Sequence, residues 1–88
     1  MVVYSRNISW QDINNVIYIF NEINNKMFYL EDVSRNIWLM INRKMSIENM
    51  INNLSETYNQ SLDIMQEDLL LFLQELKEME LVDYGFSK

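Results

Sequence analysis

The sequence predicts a small α+β fold, winged-helix-like, with a three-stranded antiparallel N-terminal sheet followed by three helices. Two observations carry that expectation. The first thirty residues are dense in β-branched and aromatic side chains broken by Asn pairs, which is strand-and-turn chemistry. From residue 31 onward the apolar residues recur at three- and four-residue spacing, which is helix chemistry. A third observation bounds the size. Eighty-eight residues, 49% of them hydrophobic, and no linker or low-complexity tract suit one domain over residues 1–88 around one modest core.

The first strand is expected within "VVYSRNISW" (residues 2–10), anchored by Tyr4 and Trp10. The second is "NVIYIFNE" (15–22), and the third is "KMFYL", Lys26–Leu30. Asn tolerates positive φ, so Asn14-Asn15 and Asn24-Asn25 are expected to turn the chain between strands. Asn and Ile are heavily used throughout while Ala and Pro are absent. That bias makes any single Asn a weak signal. Glu31 or Asp32 then supplies an N-cap for a helix carrying Val33, Ile37, Met40 and Ile41 on one face with Trp38 beside it, ending at Asn42-Arg43-Lys44 with Asn42 suited to the left-handed position. Ser46 opens the second helix, whose stripe is Ile47, Met50, Ile51, Leu54 and Tyr58. "NQSLD" interrupts, and the third helix is expected from about residue 64 to 79. "LVDYGF" at the end returns as a strand or packs down.

Two features exceed what a core requires. On the third helix Met65, Leu69, Phe72, Leu73, Leu76 and Met79 already form a core stripe at about 100° per residue. Ile64 and Leu71 fall on a separate flank, with Asp68 and Glu75 between them and the core. Such a flank is either the margin of a wide core or one wall of a groove. In a meander the third strand is also a sheet edge, whose unpaired backbone groups can template another strand. Either the closing "LVDY" segment or a dimer contact covers that edge, or a peptide adds to it by β-augmentation.

Composition excludes much else. The chain has no Cys and no His, which removes thiolate nucleophiles, disulfides and the usual metal ligands and general base. No cofactor or metal site and no catalytic residue is expected. With one Gly there is no phosphate-cradling loop. The net charge of −6, with scattered cations, argues against nucleic acid. No apolar run approaches the ~20 residues of a membrane span, so no membrane partner is expected and the expected location is cytoplasmic.

The order and spacing of "FYLEDVSRNIWLMIN", "MSIENMINNLSETY" and "EDLLLFLQELKEMELV" resemble the family of pyrroloquinoline quinone biosynthesis protein D, RiPP recognition elements that bind the leader of a ribosomal precursor peptide. The resemblance runs from about residue 3 to 82. It rests on Leu30 before a polar cap, the Ile37-Trp38 pair, Ser46-Ile47, Tyr58 and the Asp68-Leu69 run. It implies a non-catalytic peptide chaperone whose peptide-binding residues are Lys26, Met27, Phe28, Tyr29 and Leu30 on strand three, with Ile64, Asp68, Leu71 and Glu75 on helix three. Implied partners are a precursor leader peptide and a modifying enzyme, either a leader protease/cyclase or a radical-SAM maturase, with the chain a monomer or weak homodimer. The glycine often found after the first helix is replaced by Asn42 or Arg43, which bears on the conformation of that loop. The Pro-Glu element before strand three is absent, which points away from the quinone pathway, and standalone members of this size also serve lasso-peptide and radical-SAM pathways. The alternatives are a winged-helix transcriptional regulator, disfavoured because no Lys or Arg lies between residues 46 and 58, and a small structural subunit dimerising through strand three.

Overall fold

A computed structural model describes residues 2–83. The elements are β1 (Val3–Tyr4), β2 (Ile8–Ile13), β3 (Val16–Asn21), β4 (Lys26–Leu30), α1 (Asp32–Asn42), α2 (Ile47–Tyr58), α3 (Leu62–Glu78) and β5 (Val82–Asp83). A three-stranded antiparallel sheet in the order β2-β3-β4 precedes three helices, the α+β arrangement expected. The expected first strand is, however, two strands. β1 pairs with β5 in a separate two-stranded ribbon, and only β2 joins the main sheet. Tyr84, Gly85 and Phe86 of the expected closing segment lie outside the described residues.

The β2–β3 connection is the two-residue loop Asn14-Asn15, both with positive φ (52° and 66°). That is the type I′ signature, whose twist matches the flanking strands. Strand β2 therefore runs on through Gln11, Asp12 and Ile13. An L-residue in the left-handed region costs about 1–2 kcal/mol, against roughly 0.5–1 kcal/mol of extra chain entropy lost by Gly. Asn15→Gly is thus expected to stabilise the fold by about 0.5–1 kcal/mol, read as a higher urea midpoint at unchanged slope.

The β3–β4 connection is not a two-residue turn at Asn24-Asn25 but a four-residue loop, 22–25, organised by Asn21. This Asn is buried at the end of β3, and its Oδ1 accepts from the backbone N–H of Ile23 (2.9 Å) and Asn24 (3.4 Å). Asn25 takes the left-handed conformation, φ 60°.

Ser46 caps α2 as expected, while the other helix ends differ from expectation in informative ways. Ser46 and Ser61 accept from the N–H groups of Asn49 (3.1 Å) and Ile64 (3.2 Å), capping α2 and α3. The Ser61 cap is why α3 begins at Leu62, two residues before the apolar pattern suggested. Glu31 holds the N-cap position of α1, but its side chain makes no capping bond. After α1 the left-handed residue is Lys44, φ 59°, and not Asn42, which remains helical. Asn59 takes that role after α2.

The core lies between one face of the sheet and the helices. Ile17 and Ile19 of β3 meet Ile37, Met40 and Ile41 of α1, Met50 and Leu54 of α2, and Leu69, Leu73 and Leu76 of α3, all buried. One corner is aromatic. Tyr4 stacks on the fully buried Trp38 (centroids 4.4 Å apart, 20° between planes), and Trp10 meets both rings edge-on at 5.8 and 6.1 Å. The Tyr4 hydroxyl donates to the Trp38 carbonyl at 2.7 Å. Burial pushes the Tyr4 phenol above its ordinary pKa. The corner thus fixes β1, β2 and α1 together, and the Arg35–Asp12 ion pair (2.6 Å) links α1 to β2 on the surface. The hydrogen bond to Asp12 holds the Arg35 guanidinium above its ordinary pKa.

Candidate functional site

Strand β4 ends the main sheet. Among the described residues no strand pairs with its outer edge, and Val82–Asp83 of the expected closing segment pairs with β1 instead. Hairpin geometry identifies which backbone groups that edge presents. In a two-residue hairpin the pair flanking the turn is hydrogen-bonded, and bonded and non-bonded pairs then alternate. Ile13↔Val16 flanks the Asn14-Asn15 turn, so Val16, Tyr18 and Phe20 direct their backbone groups toward β2. Ile17, Ile19 and Asn21 then face β4, where they pair with Leu30, Phe28 and Lys26. The N–H and C=O groups of Met27 and Tyr29 point the other way, out of the sheet edge. The side chains follow a different division. Met27 and Tyr29 are about two-thirds exposed on the outer face, while Phe28 is half-buried and Leu30 buried on the core face.

At its C-terminal end β4 runs into a cleft of about 470 Å³ between the start of α1 and α3. Its wall is Val33 and Ile37 from α1, Leu54 from α2, and Met65, Leu69 and Phe72 from α3. Glu31, Asp32 and Asp68 also line it, all three exposed, and no Lys or Arg does. Asp32 sits at φ 54° where the chain turns from strand into helix; Asp is among the residues that visit this region. The Ser34 hydroxyl donates to the Glu31 carbonyl at 2.7 Å, tying that junction down. The result is an apolar slot rimmed by negative charge, beside an open strand edge.

Of the α3 residues singled out from sequence, Asp68 lines this cleft. Ile64, Leu71 and Glu75 are exposed, with Ile64 at 47% and Leu71 at 62%, and do not line it. Phe72, read as core, is only half-buried and contributes to the cleft wall. Its angle on the helix gave no signal of this, since it lies within the core stripe. Val33 was read as core for the first helix and is instead 37% exposed at the cleft. Ile64 also borders another hollow, of about 440 Å³, with Asp63, Gln66, Glu67 and Leu70.

The family of coenzyme PQQ synthesis protein D matches residues 17–82, three-quarters of the sequence. The chain belongs to the PqqD family. The matched stretch spans β3 through Val82, and so includes β4, the cleft and α3. One solved structure, described as "TbiB1 in Complex with the TbiA(beta) Leader Peptide", superposes with a TM-score of 0.88 at 20% identity. The likeness covers 97% of this chain and 98% of that one, so this PqqD-family chain shares the whole fold of that protein. No curated protein matches. Among the described residues no helix is long and apolar enough to cross a membrane.

Proposed function

We propose that this protein is a non-catalytic leader-peptide-binding adaptor of ribosomal peptide natural product biosynthesis, acting in the cytoplasm. It captures the precursor's leader as an added antiparallel strand on β4 and presents the rest of the precursor to a modifying enzyme. That enzyme is a leader protease/cyclase or a radical-SAM maturase, which gains from the raised effective concentration of its tethered substrate. The observation that carries the reading is the open β4 edge, with the outward backbone groups of Met27 and Tyr29, running into the acidic-rimmed apolar cleft. Membership of the PqqD family supports it, as does likeness of fold to a protein solved with a leader peptide. Backbone bonds to β4 supply affinity, and the cleft selects side chains.

The peptide-binding residues in this reading are Lys26, Met27, Phe28, Tyr29 and Leu30 from the edge strand and Asp68 from the cleft, extended along α3 by Ile64, Leu71 and Glu75 where the bound chain leaves the cleft. With Glu31, Asp32 and Asp68 at the rim, a leader segment carrying Lys or Arg is favoured over an acidic one. The test is a fluorescence-anisotropy titration with the leader of a short precursor peptide sought among the neighbouring reading frames. Saturable binding is expected, and Asp68→Lys is expected to weaken it about 5- to 30-fold, the ~1–2 kcal/mol scale of reversing one partly exposed charge. A leader that does not bind the wild-type chain would overturn the proposal.

A further inference from the structure

The face of the main sheet opposite the helices has an unusual composition. The register places Ile13, Val16, Tyr18, Phe20, Met27 and Tyr29 on it, with Ser9 and Gln11 completing the eight positions. A solvated antiparallel sheet face normally alternates polar residues outward. Here six of eight positions are apolar or aromatic and none is charged, in a chain with 13 Asp and Glu and 7 Lys and Arg. Ile13, Tyr18, Met27 and Tyr29 are each more than 40% exposed. Between β2 and β3 the face has a hollow of about 210 Å³ bordered by Ser9, Gln11, Tyr18, Phe20 and Met27.

We propose that this outer face is a self-association surface, on which two copies of the chain pack sheet against sheet. Charge identifies the occupant. A surface evolved for a basic partner would use the chain's abundant carboxylates, since complementary charge sets partner choice and speeds encounter. A second copy carries the same −6, so a face meeting it must keep carboxylates out, and this face holds none. The hollow accepts a ring such as Tyr29 of the other copy, giving the interdigitation that sheet-on-sheet packing requires. Three strands of about six residues span roughly 10–15 Å by 20 Å. That is below the ~800 Å² per partner of a standard interface, so the dimer is weak and concentration-dependent. Backbone groups at an edge lie in the plane of the sheet, perpendicular to these side chains. Packing through the face therefore leaves the β4 edge open, and the inference stands apart from the proposed peptide binding.

Analytical ultracentrifugation of the 88-residue chain from about 10 µM to about 1 mM, the range of weak interfaces, tests this. The weight-average mass is expected to climb toward twice the chain mass. Tyr18, central on the middle strand, is expected to be decisive. Tyr18→Glu and Tyr18→Lys each remain monomeric across the range, and an equimolar mixture of the two associates again. Gln11→Glu, which removes no apolar group, weakens association while circular dichroism stays native. A wild-type chain that is monomeric at about 1 mM overturns the proposal. So does association unchanged in folded Tyr18 and Gln11 variants, which would mean edge pairing.

Discussion

Tyr29→Pro is expected to leave the fold intact and to lower leader affinity about 10- to 100-fold, that is ~1.4–2.8 kcal/mol. The register directs the Tyr29 N–H out of the sheet edge and not toward β3. Replacing it with Pro therefore breaks no bond within the sheet, and Pro is tolerated on an outward edge position. An incoming strand loses one backbone hydrogen bond, worth about 0.5–1.5 kcal/mol net, and meets the pyrrolidine ring where the N–H was. Phe28→Pro is the control. Its N–H faces Ile19 of β3, so the same chemical change one residue earlier should destabilise the hairpin itself. Anisotropy titration beside thermal melts separates the two outcomes. Equal binding by Tyr29→Pro and wild type would remove strand addition on β4 from the mechanism.

Trp38→Ala is expected to cost about 3–5 kcal/mol of stability, the range for truncating a buried large aromatic. Small domains have about 5–15 kcal/mol in total, so the variant keeps a much smaller margin over unfolding. Trp38 is fully buried and stacked on Tyr4, and its loss leaves a void that Tyr4, Trp10 and Ile37 cannot all refill. One term works the other way. The indole Nε1 is buried without a hydrogen-bond partner, and an unpartnered buried donor is itself costly. That places the expectation toward 3 kcal/mol. Urea unfolding of the variant against wild type measures it.

The helical half of the fold was readable because its signals are local and redundant. Ser46 caps as its residue type suggests, and Met50, Leu54, Leu69, Leu73 and Leu76 are buried where their spacing places them. The N-terminal half was less so. Nothing in "VVYSRNISW" distinguishes a strand that continues from one that breaks, because the break depends on Val82–Asp83, nearly eighty residues away. Of the Asn residues expected in turns, Asn14, Asn15 and Asn25 do occupy left-handed positions. Asn59 and Asn21 were underread, because in a chain this rich in Asn a lone one looked uninformative, yet Asn59 is also left-handed and Asn21 builds a loop from inside. At the site, the edge character of residues 26–30 followed from strand order alone. The cleft did not, because it needs the relative placement of α1 and α3. Periodicity ranks Phe72 by angle, and angle does not reveal where a neighbouring helix stops short.

The aromatic corner also makes the protein its own optical instrument. Its two tryptophans, Trp10 and Trp38, are both held there against Tyr4. Their fixed mutual geometry should give a strong near-ultraviolet circular dichroism band that disappears when side-chain packing is lost. Trp10 belongs to β2, the strand at the opposite margin of the sheet from β4. Unlabelled protein can therefore report the integrity of its interior from a position that a ligand at β4 does not touch, so a change in that band on peptide addition would signal rearrangement of the whole domain and not contact alone.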